Sequence, residues 1–210
     1  MERGDRLPLA LLVATAAVLL WSGFRPHDRL TWFLEVFPVL LGAPIVVATW
    51  RRFPLTPLLC ILLFVHGAIL MIGGRYTYAL TPVGFWMQEL FGFARNHYDR
   101  IGHLAQGFVP AILARELLLR RTPLRRGGWL FFLVLSVCLG FSAFYELIEW
   151  WTALVSGSAA DAFLGTQGDP WDTQWDMFLA GIGALSAQLL LGRLHDRQLA
   201  DLPPPATVGR

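Results

Sequence analysis

Residues 129–154 read "WLFFLVLSVCLGFSAFYELIEWWTAL", and this stretch decides the kind of protein. It exceeds the roughly 20 residues a helix needs to cross a bilayer, and its only charges, Glu146 and Glu149, lie toward one end. Moving outward, five more runs are long and apolar enough to span, or nearly so: 7–24, 30–50, 58–73, 101–119 and 173–191. With 55% hydrophobic and 15% charged residues in 210, no room is left for a separate soluble domain. The expectation is an all-α integral membrane protein, a bundle of about six transmembrane helices. It forms one polytopic domain over 1–192, followed by a flexible cytoplasmic tail over 193–210 that contains "PPP". A short interfacial helix or re-entrant segment is expected around 80–95.

The opening "MERGDR" resembles the basic start of a signal peptide, but no small-x-small cleavage site follows before Trp21, so a retained first helix is expected. Cys60 and Cys138 both fall inside apolar runs and read as small buried hydrophobes. The absence of lysine excludes Schiff-base and P-loop chemistry, and there is no GxSxG, HExxH or Glu-x-x-His pattern. The net charge of +2 does not point to nucleic acid, because the arginines cluster in membrane loops.

Those arginines set the orientation. With the N-terminus inside, twelve fall on the inner side and five (Arg25, Arg29, Arg75, Arg95, Arg100) on the outer. The positive-inside rule then gives N-in/C-in, fixed most strongly by "RRTPLRR" at 120–126. Seven of the nine tryptophans map to the outer interface.

This topology joins three separated motifs at one depth. "RNHYDRIGH" (95–103) enters the fourth span, "FYELIEWW" (144–151) leaves the fifth, and "GDPWDTQWD" (168–176) opens the sixth. Asp99, His103 and Gln106 share a helical stripe, Glu146 and Glu149 are i,i+3, and Asp172 and Asp176 are i,i+4. Small residues Ala180, Gly181, Gly183, Ala184 and Ala187, with Ser136 and Gly140, suit close helix packing that turns the carboxylates inward. So many like charges need cations, protons or water. One solution is a divalent metal (Mg²⁺, Mn²⁺, Ca²⁺ or Zn²⁺) held by His103, Glu146, Glu149, Asp172 and Asp176, with Glu35, His97, Asp99, Arg100, Gln106 and Asp169 in support. The others are ion pairing with Arg75, Arg95 and Arg100, or carboxyls that transfer protons. Glu116 beside Arg115 reads as a locally paired snorkelling couple, and "RYTYAL" (75–80) as an interfacial aromatic segment.

The blocks "RNHYDRIGHLAQGFVPAILARELLLR", "FYELIEWW" and "GTQGDPWDTQWDM" resemble the signature blocks of the YjdF-like bacterial inner-membrane proteins. More distantly, the order Asp-Arg-x-x-His, then Glu, then Asp before a Gly-rich last helix is similar to VanZ-like proteins, which are linked to glycopeptide resistance and envelope lipids. Here Asp176 stands where those usually carry Asn, and the fifth-span motif is Glu-x-x-Glu rather than Glu-x-x-Gln. The resemblance implies a multi-pass protein of the bacterial inner (cytoplasmic) membrane, in contact with membrane lipids, and no known reaction. Three readings follow. One is a metal-assisted hydrolase or transferase acting on a lipid-linked envelope substrate, with Glu146, Glu149 and Asp176 as acid/base groups. The second is a binding or transport protein for a cation or lipid headgroup, and the third an accessory subunit.

Overall fold

Local chemistry sets where the helices begin. Asp28 accepts from the Thr31 amide at 2.7 Å, and Thr56 accepts from the Leu59 amide at 3.3 Å with Pro57 following as the first helical residue. Each satisfies a donor that a helix start otherwise leaves free. The computed structural model of the chain describes residues 6–157, 161–164 and 166–202. Its helices are α1 (Arg6–Gly23), α2 (Arg29–Thr49), α3 (Pro57–Tyr76), α4 (Pro82–Phe91), α5 (Tyr98–Arg121), α6 (Gly128–Ser156), α7 (Asp161–Leu164) and α8 (Asp172–Ala200), with a 3₁₀ turn at Tyr78–Leu80.

Five of these (α1, α2, α3, α6 and α8) are long and apolar enough to cross a membrane. The sixth long helix, α5, has 24 residues, about 36 Å of rise, yet its polar content sets it apart. Its position explains how the membrane tolerates it. It lies at the centre, packed on α8, α6 and α3, while α1 and α2 pack on α3 from the far side. Polar side chains on a central helix face other helices rather than lipid. The outer surfaces of α2, α6 and α8 carry exposed Phe37, Leu41, Phe132, Phe141, Leu189 and Leu190, as lipid-facing surfaces should.

The expected short segment is the 3₁₀ turn plus α4, which exposes Phe85, Trp86, Leu90 and Phe91 and ends at Gly92 in the left-handed conformation (φ 66°). Its Gly84 lies against Asn96 with no room for a Cβ.

The helices alternate in direction, so the three motifs meet at one end, the motif end. The loops 50–56 and 121–127 and the C-terminal part of α8 meet at the other, the arginine end. At the α5–α8 contact backbone meets backbone: a Cβ on Gly107 would overlap the Ala180 carbonyl, and one on Gly183 would overlap the Leu104 carbonyl and stand 2.8 Å from the Phe108 nitrogen. Ala180, Gly183, Ala184 and Ala187 are buried there as expected.

Three expectations need correction. Ser136 and Gly140 are exposed, and α6 packs instead through Val134, Cys138 and Ser142, two residues away and so on nearly the opposite face of the helix. The helix α8 does not stop near 192 but continues to Ala200, because His195 is fully buried and Asp196 is paired with Arg115. Residues 203–210 of the expected tail lie outside the described residues. Finally, Glu116 does not pair with Arg115; its partners are Arg120, His195 and Thr56.

Candidate functional site

At the motif end, α5 contributes Asp99 and His103, α6 contributes Glu146 and Glu149, and α8 contributes Asp176. His103 is the hub. Its Nε2 lies 3.4 Å from Asp99 Oδ1 and 3.8 Å from Asp176 Oδ2, and its Nδ1 lies 4.0 Å from Glu146 Oε1. Two overlapping groups of donor atoms, each within 4.8 Å of one another, result: Asp99, His103 and Asp176 on one side of the ring, and His103, Glu146 and Glu149 on the other. His103, Glu146 and Asp176 are all buried. Even so, His103 Nδ1, Asp99 Oδ2, Glu146 Oε1 and Asp176 Oδ1 have no hydrogen-bond partner, which is costly for buried polar atoms.

Distances separate the ways of satisfying this cluster. At 3.8 and 4.0 Å the His103–Asp176 and His103–Glu146 contacts are too long for hydrogen bonds. Two ligands bound to one cation at about 2.1 Å each stand roughly 3–4 Å apart, which is the observed range. Ring chemistry leaves two ways to meet both sides: a neutral imidazole has one N–H and one lone pair, yet both His103 nitrogens face carboxylate oxygens, so the ring either takes a second proton or binds a cation. A metal on one nitrogen, with the other donating to a carboxylate, satisfies both sides, as in carboxylate–histidine–metal triads. On either side the donor set, one imidazole nitrogen and two carboxylates, suits hard or borderline divalent ions.

The other expected site residues fall into two positions. Arg95, Arg100, Asp169 and Asp172 form an ion-paired roof over the cluster. Arg95 Nη2 reaches Asp172 at 2.7 Å and Asp169 at 3.3 Å, and Arg100 Nη2 reaches Asp169 at 2.9 Å and Asp172 at 3.6 Å. Arg95 also donates to the Thr166 carbonyl, and Gln167 donates to the Asn96 carbonyl at 2.8 Å. These bonds fasten the strap over residues 166–172. The Trp171 amide, followed by the Arg95 and Arg100 guanidiniums, holds the Asp169 carboxyl below its usual range. Asp172 is therefore held by arginine and lies outside both donor groups. The second position is the wall: Glu35 is buried within the electrostatic reach of Asp99, His103, Tyr78 and Tyr145, and Gln106 extends the α5 stripe one turn below His103.

His97 stands apart, edge-on to Phe93 with ring centres 4.7 Å apart, where partial burial and then Arg95 and Arg100 lower its pKa. Arg75, another expected counter-ion, is also elsewhere: it donates to the Trp21 and Phe24 carbonyls at 2.7 Å.

A family model described as "Predicted membrane protein (DUF2238)" matches residues 7–197, a span that includes every residue of the cluster. The chain belongs to this family. It is 55% identical over 182 residues to inner membrane protein YjdF of Escherichia coli (strain K12), an alignment covering 87% of each chain. No solved structure matches it. The family places the chain in the inner membrane, as the sequence blocks implied.

Some polar residues of this DUF2238 bundle escape a reading of motifs. Tyr78, within the "RYTYAL" segment, is buried against Gly73 and Gly102, where added Cβ atoms would stand 2.6 and 2.9 Å from its ring, so this one residue plugs the wall of the site. Tyr145 and Ser142 line the same wall from α6 with unpartnered hydroxyls. A second cluster occupies the arginine end. There Glu116 accepts from Thr56 Oγ1 at 2.8 Å and Arg120 at 2.7 Å, and contacts His195 Nε2 at 3.0 Å. Arg115 contacts His195 Nδ1 at 3.0 Å and Asp196 at 2.7 Å. Arginine can only donate, so His195 Nδ1 accepts and Nε2 carries the proton that Glu116 receives. This network staples α3, α5 and α8, and every His195 and Glu116 bonding position in it is used. No run of acidic or histidine residues marks it in the sequence.

Proposed function

We propose that this inner-membrane protein holds a divalent cation at His103 Nε2 with Asp99 and Asp176, while Nδ1 faces Glu146 and Glu149, and uses it as a Lewis acid in hydrolysis or group transfer on a lipid-borne substrate. The observation that carries the reading is the His103 ring, buried with carboxylate oxygens facing both nitrogens at ligand-to-ligand spacing. Charge supports it. Seven carboxylates (Glu35, Asp99, Glu146, Glu149, Asp169, Asp172, Asp176) gather around two guanidiniums, Arg95 and Arg100, an imbalance that favours a cationic ligand. When bound, the cation supplies polarisation of an oxygen or an activated water. Glu146 and Glu149, whose carboxylate oxygens lie within 4.8 Å of each other and of His103, form a pair able to take and return a proton. A shallow apolar depression of about 350 Å³, lined by Trp171, Gln174, Trp175 and Phe178, adjoins Arg100 and offers a place for a lipid chain beside the cluster.

The alternative of a conduit across the membrane is disfavoured by the layer beneath. His66, Gln106 and Ser142 carry unpartnered buried atoms just below the cluster. Beyond them Leu59, Ile112, Val134, Cys138, Ala184 and Ala187 form an apolar core. Ten residues of α5, about 15 Å, separate Gln106 from Glu116. The polar column therefore ends at mid-depth, which favours a one-sided site.

Metal content decides the proposal. Protein purified in detergent and equilibrated with Mn²⁺ or Zn²⁺, then desalted, should retain about one ion per chain. His103→Ala and Asp176→Asn should lose it, while Asp172→Asn, whose carboxylate belongs to Arg95, should keep it. Wild-type protein without bound metal at millimolar supply would sink the reading.

A further inference from the structure

Arg100 lies between two sets of carboxylates and is bonded to only one of them. Its Nη2 is held by Asp169 at 2.9 Å in the strap, and its ring-facing side lies over Trp175 at 5.3 Å. Its Nη1 has no hydrogen-bond partner and stands 4.0 Å from Asp176 Oδ1, an oxygen that is likewise buried without a partner. Two unpartnered atoms of opposite charge thus face each other across a gap that a side-chain rotation can close. Asp176 is also one of the His103 group. We propose that Arg100 is a tethered cation that competes with the divalent ion for Asp176, held away from it by Asp169.

The proposal rests on the reading of the cluster as a cation site and assigns its regulation. Exposure follows the same order. Asp169 is the most open of these side chains at 23%, Arg100 is at 14%, Asp172 at 7% and Asp176 at 3%, so the arginine occupies the step between the outside and the buried ligand. With Asp169 in place, Arg100 is drawn outward and Asp176 is free for a metal. With the strap carboxylate lost or neutralised, Arg100 Nη1 moves onto Asp176 Oδ1, and the positive charge expels or excludes the ion. No bond to a metal is needed for either position; one guanidinium changes carboxylate partners.

The effect has a sign that a merely structural role does not share. Mn²⁺ affinity of the full chain in detergent, measured by titration with detection of free Mn²⁺, should rise about tenfold or more in Arg100→Gln and fall by a similar factor in Asp169→Asn. In the double variant the Asp169→Asn effect should vanish, because it acts through Arg100; independent long-range charge effects would instead add. Equal affinities in wild type and both variants, weakening in both, or simple additivity would overturn the competition while leaving the metal site standing. No Mn²⁺ binding by any of the four proteins would overturn the metal site and the competition with it. Should Arg100→Gln not fold, Asp169→Asn alone, altering a partly exposed strap residue, still reads the sign.

Discussion

A neutral imidazole offers one donor and one acceptor, and the two clusters of this bundle treat that constraint in opposite ways. His195 has an arginine on Nδ1 and a carboxylate on Nε2, so its neutral form is fully used. His103 has carboxylates on both sides, which the neutral ring cannot satisfy alone: its second nitrogen needs a proton or a bound cation. The same residue-by-residue reasoning applies to the strap. Asp169 is depressed by the Trp171 amide and two guanidiniums, so its folded pKa lies below its unfolded one. The sign follows: its contribution is complete above the ordinary carboxylate pKa and is lost as pH falls through the lower folded value. Fluorescence from Trp175, isolated as the difference from Trp175→Phe, should therefore stay flat from about pH 8 to about pH 4 and change only below the usual Asp range. In Asp169→Asn it should already show the acid form at neutral pH. A transition near neutral pH in the wild-type protein would mean that the strap is held by something other than Asp169.

Among the elements, the α5–α8 pair decides the site, since it carries Asp99, His103, Asp172 and Asp176 and fixes their separation. Its closeness depends on Gly107 and Gly183. Gly183→Ala puts a Cβ into the α5 backbone near Leu104 and Phe108, and the helices must move apart, at a cost of about 1–3 kcal/mol. Gly140→Ala meets nothing within 4 Å and should be neutral or slightly stabilising. Thermal aggregation in detergent ranks the two, and equal midpoints would show that the close crossing is not needed for stability. The sequence pattern of small residues located the α8 face correctly, because spacing along one helix is a local property. It misassigned Ser136 and Gly140, because which face of α6 turns inward depends on the position of α5 and α8, and the hydrophobic stripe surrounds α6 almost evenly. The same limit explains α8 beyond 192. Arg193, His195, Asp196 and Arg197 read as a polar tail until Glu116 and Arg115, some eighty residues earlier, are brought beside them. His103, Glu146, Glu149 and Asp176 were legible as neighbours because each sits at a helix end whose level the topology fixes. The division between Asp172 in the arginine-held roof and Asp176 in the His103 cluster was not, since both lie on one α8 stripe and only the position of Arg95 separates them.

For the whole molecule, the question is which compartment the site opens toward. Six long helices of alternating direction bring both described ends of the chain, Arg6 and the end of α8, to the arginine end, where Arg51, Arg52, Arg121, Arg125, Arg193 and Arg197 are exposed. At the motif end three of the five arginines are taken up inside the fold: Arg75 by backbone carbonyls, and Arg95 and Arg100 by the strap. Arg25 and Arg29 remain there without a carboxylate or carbonyl partner among the described residues. The charge asymmetry presented to the membrane surface is thus steeper than the twelve-to-five count along the sequence. The motif end should face away from the cytoplasm. The protein's two cysteines, Cys60 and Cys138, are buried, so single introduced cysteines can report side without removing them. His27→Cys and Pro170→Cys should react with a membrane-impermeant maleimide in cells whose outer layers are opened but whose inner membrane is intact. Arg125→Cys should react only after the inner membrane is permeabilised. The reverse pattern would place the His103 cluster on the cytoplasmic side, with a cytoplasmic cation supply and an inner-leaflet substrate, and the loop at 120–126 would then be an exception to the positive-inside rule.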